Sequence, residues 1–124
     1  MKLIKELAKT YNNLNINNIE NLFSKDVVYE SQNVLEPIQG SENLINYLNQ
    51  KFETIKKSNN LVYAELAYLD AQKEKACIIL SQGDKENKGA LVLIESADNL
   101  ITRIDICTVA PHWSKAIRTN EYPN

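Results

Sequence analysis

Histidine occurs once and cysteine twice in this chain of 124 residues. Cys77, Cys107 and His112 have no metal-ligand spacing, so a zinc-type centre is excluded and neither a metal nor a cofactor is expected. Positive charge is also thin. The formal net charge is −2 and the pI about 5.4. No basic cluster exceeds Lys56-Lys57, so the stripe that a nucleic-acid surface needs is missing. Long apolar runs are lacking as well. No stretch approaches the length of a membrane span, and Lys5, Glu6 and Lys9 interrupt the N-terminal apolar residues before they could form a signal-peptide core. These absences leave a cytoplasmic protein as the expectation, its two cysteines serving as small buried hydrophobes.

What is present suits one ordinary domain. Hydrophobic residues make up 44% and charged residues 24%, enough to bury a core at this length without disulfide or metal support. Leu3, Ile4, Leu7, Ala8, Tyr11 and Leu14 recur at helical spacing, and Asn12-Asn13 mark the end of that stripe. Ile16, Ile19, Leu22 and Phe23 repeat the pattern and predict a shorter second helix. A short strand over Asp26 to Ser31 follows, then an irregular crossing through Pro37. A third helix starts at Gly40-Ser41, with Ser41 as the expected cap, Lys56-Lys57 in its last turn, and Leu44, Ile45, Leu48, Phe52 and Ile55 as its buried face.

After Ser58-Asn59-Asn60 the period becomes two. Four strands are predicted: Leu61 to Leu69, Lys75 to Gln82, Lys88 to Ser96 and Leu100 to Val109, joined by turn-rich links that imply antiparallel hairpins. Helices first and a meander afterwards make an α+β protein, with three helices packed on one face of a curled, mostly antiparallel sheet. Ala90 to Ile94 is apolar throughout, so the second face also needs a cover. A second copy of the chain is the simplest one, and a homodimer through the sheet face is expected.

This order of elements resembles the nuclear transport factor 2-like superfamily, whose relatives include ketosteroid isomerase, scytalone dehydratase and the polyketide cyclases. The resemblance covers residues 1–110. It rests on Leu22-Phe23-Ser24-Lys25-Asp26-Val27, Gly40-Ser41-Glu42-Asn43-Leu44-Ile45 and Asn99-Leu100-Ile101-Thr102-Arg103-Ile104. It implies a cone-shaped fold with a pocket. The isomerase chemistry does not carry over: its base would fall on Ser31, its tyrosine donor on Leu7 and its protonated aspartate near Leu91, so that apparatus has neither base nor donors.

Within such a cone, Tyr29 and Ser31 on the rim strand would face the cavity, and Leu91, Leu93, Ile104 and Ile106 would form an apolar lining. Glu95, sharing a face with Leu91 and Leu93, is a candidate acid or base near the open end. Arg103 and Asp105 would face the other way, at the dimer surface, unless a bulge turned Asp105 inward. Residues 111–124 hold the only tryptophan and the only histidine. Trp113 and Tyr122 mark them as a docked strap, with His112, Trp113 and Arg118 as the polar side of a pocket. Three functions compete. One is a module binding a small apolar or aromatic molecule through Tyr29, Ser31 and the tail. Another is an isomerase, dehydratase or cyclase using Glu95, Asp105 or His112. The third is a protein-interaction subunit whose cone is filled by its own side chains.

Overall fold

In the computed structural model, which describes residues 2–34 and 36–124, two helices and a seven-stranded mixed sheet form one α+β unit. Helix α1 spans Lys2–Asn13 and α2 spans Ser41–Ser58; the strands are β1 (Phe23–Ser31), β2 (Ile38–Gln39), β3 (Val62–Tyr68), β4 (Ala76–Gln82), β5 (Lys88–Ala97), β6 (Leu100–Cys107) and β7 (Ile117–Arg118). Their spatial order is β2-β1-β6-β5-β4-β3-β7, antiparallel throughout except for the β1–β6 pair. Met1 lies outside the described residues, as does Leu35 within the expected crossing. Among the described residues no helix is long and apolar enough to cross a membrane.

The expected second helix is a correction. Residues 15–16 are irregular and 17–19 form a turn, Glu20–Leu22 is a single 3₁₀ turn, and Phe23 already belongs to β1. Ile16, Ile19 and Phe23 are nonetheless buried, so the spacing reported burial rather than helix. Polar side chains decide the local conformation. Asn15 accepts from the Asn17 N–H at 2.9 Å, and Asn18 donates back to the Glu6 carbonyl at 2.8 Å. Such side-chain-to-backbone bonds compete with helical ones. Helix α2 forms as expected, but Gly40, not Ser41, holds the N-cap position. Its φ of +91° is a left-handed turn that glycine adopts without strain.

The two helices pack on one face of the sheet. Leu7, Tyr11, Leu44, Leu48 and Phe52 meet Val27, Tyr29, Ala64, Leu66, Ile78, Val92 and Ile104 in the main core. The opposite face carries its own smaller cluster, Ala67, Cys77, Ile79, Leu91 and Cys107, and Trp113 and Ala116 of the tail pack against it. The second cover that the apolar strands require is thus supplied, over this part of the sheet, by the chain's own last residues.

A one-residue irregularity decides which side chains reach which face. Asp98 and Asn99, both at positive φ, make the tight turn that pairs Ala97 with Leu100. A regular ladder would then set Leu93 opposite Ile104 and Leu91 opposite Ile106, all on one face. Instead Ser96 pairs with Ile101 and Glu95 with Arg103, leaving Thr102 as an extra residue. Beyond this bulge Leu91 faces Cys107, Val92 faces Ile106, and Leu93 faces Asp105. A slip of one residue inverts every side chain that follows it.

Candidate functional site

The main cavity, about 710 Å³, lies between α2 and the helix-covered face of the sheet. Helix α2 supplies a stripe, Tyr47, Gln50, Lys51 and Thr54, whose three- and four-residue spacing sets it beside the buried stripe of Leu44, Leu48 and Ile55. Tyr11 enters from the end of α1, and Ser31, Asn33 and Val34 from the end of β1 and the residues after it. Val62, Leu80, Ala90 and Ile106 make the apolar wall; Ser81, Gln82, Asn87 and Thr108 add neutral polar groups. Among the described residues, no carboxylate and no histidine lines this cavity; its ionisable groups are Tyr11, Tyr47 and Lys51.

Tyr29 stands directly behind this lining. It is 2% exposed, its ring centroid lies 5.4 Å from that of Tyr47, and its hydroxyl has no hydrogen-bond partner. Burial pushes the Tyr29 phenol far above the ordinary tyrosine range, and the nearby Tyr11 and Tyr47 phenols add to the effect. Tyr11 is raised as well, chiefly by burial. Both phenols therefore hold their protons at neutral pH and are donors rather than bases.

An unpartnered buried hydroxyl costs about 1–3 kcal/mol. Tyr29→Phe is accordingly expected to raise the stability of the ligand-free protein by about 1 kcal/mol in urea unfolding. A destabilised variant would mean that the hydroxyl does have a partner in solution.

The other expected site residues are dispersed. Ser31 lines the cavity. Ile104 is fully buried in the main core, below the lining, whereas Ile106 reaches the cavity wall. Leu91 and Leu93, expected on the wall, lie on the opposite face because of the bulge at Thr102; Ala90 and Val92 take the inner positions. Glu95 and Asp105 also face outward. Arg103 binds Asp105 with both Nε (3.0 Å) and Nη2 (2.9 Å), reaches Glu30 at 2.7 Å, and lies 3.8 Å from Glu95. Neither carboxylate can serve as an acid or base in the cavity. Asp105 faces outward with Arg103, as first expected, and the bulge has turned Leu91 and Leu93, not Asp105.

The tail sits on the outer face too. His112 is exposed and caps the turn Trp113–Lys115, its Nδ1 accepting from the Ser114 N–H at 3.2 Å. Arg118 in β7 points its guanidinium at Glu65 of β3, with Nε 3.1 Å from both carboxylate oxygens. Glu65, 1% exposed, also accepts from the Tyr122 hydroxyl at 3.1 Å and the Asn120 N–H at 2.9 Å. His112, Trp113 and Arg118 are therefore parts of a strap across the back of the sheet, not the polar wall of the pocket.

Sequence reasoning missed Tyr11, Tyr47, Gln50, Lys51 and Thr54. The α2 set was visible as a polar stripe at positions 47, 50, 51 and 54, neighbouring the apolar one. Tyr11 lies one turn beyond Leu7, the position matched to the isomerase tyrosine, and it is Tyr11 that reaches the cavity.

No family model matches the chain, and no curated protein matches it. Solved structures do. A nuclear transport factor 2-like protein of unknown function from Mesorhizobium loti is 10% identical, with a TM-score of 0.68 over 88% of this chain and 89% of that one. A SnoaL-like protein of unknown function from Burkholderia thailandensis is 11% identical, with a TM-score of 0.65 over 88% and 92%. A candidate ketosteroid isomerase from Kribbella flavida is 15% identical, with a TM-score of 0.60 over 99% and 79%. The chain has the nuclear transport factor 2-like fold. At these identities the likeness establishes the architecture, and the chemistry has to be argued from the cavity itself.

Proposed function

We propose that the protein binds a small, largely apolar molecule in the cone and performs no acid–base catalysis on it. The observation that carries this reading is the lining. An apolar wall, a set of neutral hydrogen-bonding groups and the Tyr11 phenol, which keeps its proton, surround about 710 Å³, with no carboxylate or imidazole among the described lining residues. Proton abstraction needs a group that accepts a proton near neutral pH, and the expected candidates, Glu95, Asp105 and His112, lie outside the cavity. The size argues against a scaffold filled by its own side chains, since this volume is within the ordinary range for small-ligand pockets.

Native mass spectrometry of the purified protein, followed by denaturation, should release a retained small molecule. Thermal-shift measurements should find stabilising compounds in a panel of steroids, polyketide-like phenols and aromatic acids. No bound species and no shift across that panel would overturn the reading. The homodimer belongs to the same proposal in narrower form. With Trp113 and Ala116 packed on the cluster that holds Leu91 and Ile79, a second copy would have to meet the half of the outer face around Leu93, Arg103 and Asp105. Light scattering that finds only monomer at micromolar concentration would remove it.

A further inference from the structure

The cavity lining is electrically one-sided. Among the described residues, Lys51 is the only cation of the lining, and no carboxylate is among the lining residues. Lys51 takes part in no ion pair among the described residues. Four of the other eleven lysines do pair: Lys5 with Glu121, Lys9 with Glu6, Lys56 with Glu53 and Lys88 with Glu86. Lys51 is also held rather than loose. It belongs to the α2 stripe that faces the cavity, is half-buried, and its ammonium lies 5.7 Å from the Tyr47 ring centroid, over a ring that itself lines the wall. Gln50, Asn33 and Asn87 add neutral polar groups to the same cavity, and its remaining wall is largely apolar.

We infer that the ligand is an acid: a molecule with an apolar body seated against Leu80, Ala90 and Ile106 and a single carboxylate-type anion that meets Lys51. The inference rests on the binding reading above and names its ligand class. An amine would meet Lys51 and find no counter-charge in the lining. A wholly neutral ligand would have to desolvate the ammonium without replacing its water, which is costly in a partly closed site. The whole chain, at net charge −2, gives anions no general attraction, so the selection has to be local. A charge-assisted hydrogen bond to the ammonium supplies it.

Two fluorescent probes with the same anilinonaphthalene body separate the possibilities. One, 1-anilinonaphthalene-8-sulfonate, bears a single anion that stands in for the carboxylate; the other, N-phenyl-1-naphthylamine, is uncharged. Titrated into the full chain, the sulfonate should bind about tenfold more tightly than the neutral probe, which is the contribution of one charge-assisted hydrogen bond at a half-open site. Lys51→Met should collapse that ratio to about one, and Lys51→Arg, which keeps the charge, should preserve most of it. Ala90→Phe, which fills the wall, should weaken both probes together and so place them in the cavity. If both probes bind the unaltered protein equally, or the ratio survives Lys51→Met, the acid assignment fails while the binding reading stands. If neither probe binds, or both ignore Ala90→Phe, the binding reading fails with it.

Discussion

Trp113→Ala should destabilise the protein by about 3 kcal/mol, lowering its melting temperature by about 10 °C. The indole is the largest side chain of the tail and lies against the cluster of Ala67, Cys77, Ile79, Leu91 and Cys107. Its loss leaves this apolar cluster, among the described residues, with only the smaller cover of Leu69, Leu93 and Ala116. It also removes the ring above Lys88, whose side chain is 1% exposed and whose Nζ lies 5.8 Å from the indole centroid. The cysteines provide an independent reading. Burial pushes the Cys77 thiol up to about 12 and raises Cys107 as well, so both are unreactive thiols at neutral pH. Once the tail is loosened they gain water, and labelling by a thiol reagent should accelerate about tenfold or more, as local opening becomes easier by at least 1.4 kcal/mol. An unchanged melting temperature together with unchanged labelling would show that the tail does not hold this face.

Arg118→Ala should cost about 2 kcal/mol, and it acts on the same strap through charge rather than packing. Glu65 is a carboxylate with almost no access to water, and the guanidinium is its only cationic partner among the described residues. Removing Arg118 leaves the buried charge with the Tyr122 hydroxyl and the Asn120 N–H alone. The figure is set below that for a fully buried pair because Arg118 is one-third exposed. Adding Glu65→Gln to the variant removes the stranded charge, so the double variant should melt higher than Arg118→Ala alone. Strict additivity of the two substitutions would mean that the pair is not coupled in solution.

The sequence was most readable where one physical signal dominates. The four meander strands stand within a residue or two of their expected bounds, because alternation and turn residues agree along that half of the chain. Helices α1 and α2 were equally plain. The false helix at Ile16 to Phe23 came from spacing that suits a helix and a packed turn equally well, with the asparagine side chains tipping the balance. The lining was harder for a different reason. Ala90 to Ile94 is apolar at every position, so its pattern cannot tell one face from the other. The orientation depends on whether Thr102 is in or out of register, and nothing about a threonine in a β-rich run announces a bulge. That single residue moved Leu91 and Leu93 from the cavity to the back of the sheet. Tyr29 and Ser31 fall on the helix-covered side because β1 alternates over Val27 to Ser31, past the register shift nearer its start.

Strands β2 and β7 are each two residues long, and they are the two margins of the sheet. A long free margin is a template on which other chains can add strands, whereas a two-residue one offers too few open amides to nucleate a fibril. At one margin this protection is only as permanent as the tail. β7 shields Ala67 and Tyr68 of β3, while the Thr119 and Leu66 backbones bond just beyond it. Whatever lifts the last residues from the sheet, whether heat, a nick or a substitution at Arg118, bares the edge of seven-residue β3, apolar but for Glu65 and its two tyrosine hydroxyls. The protein's shelf life in concentrated solution is therefore set less by the stability of its core than by the time its last residues spend in place.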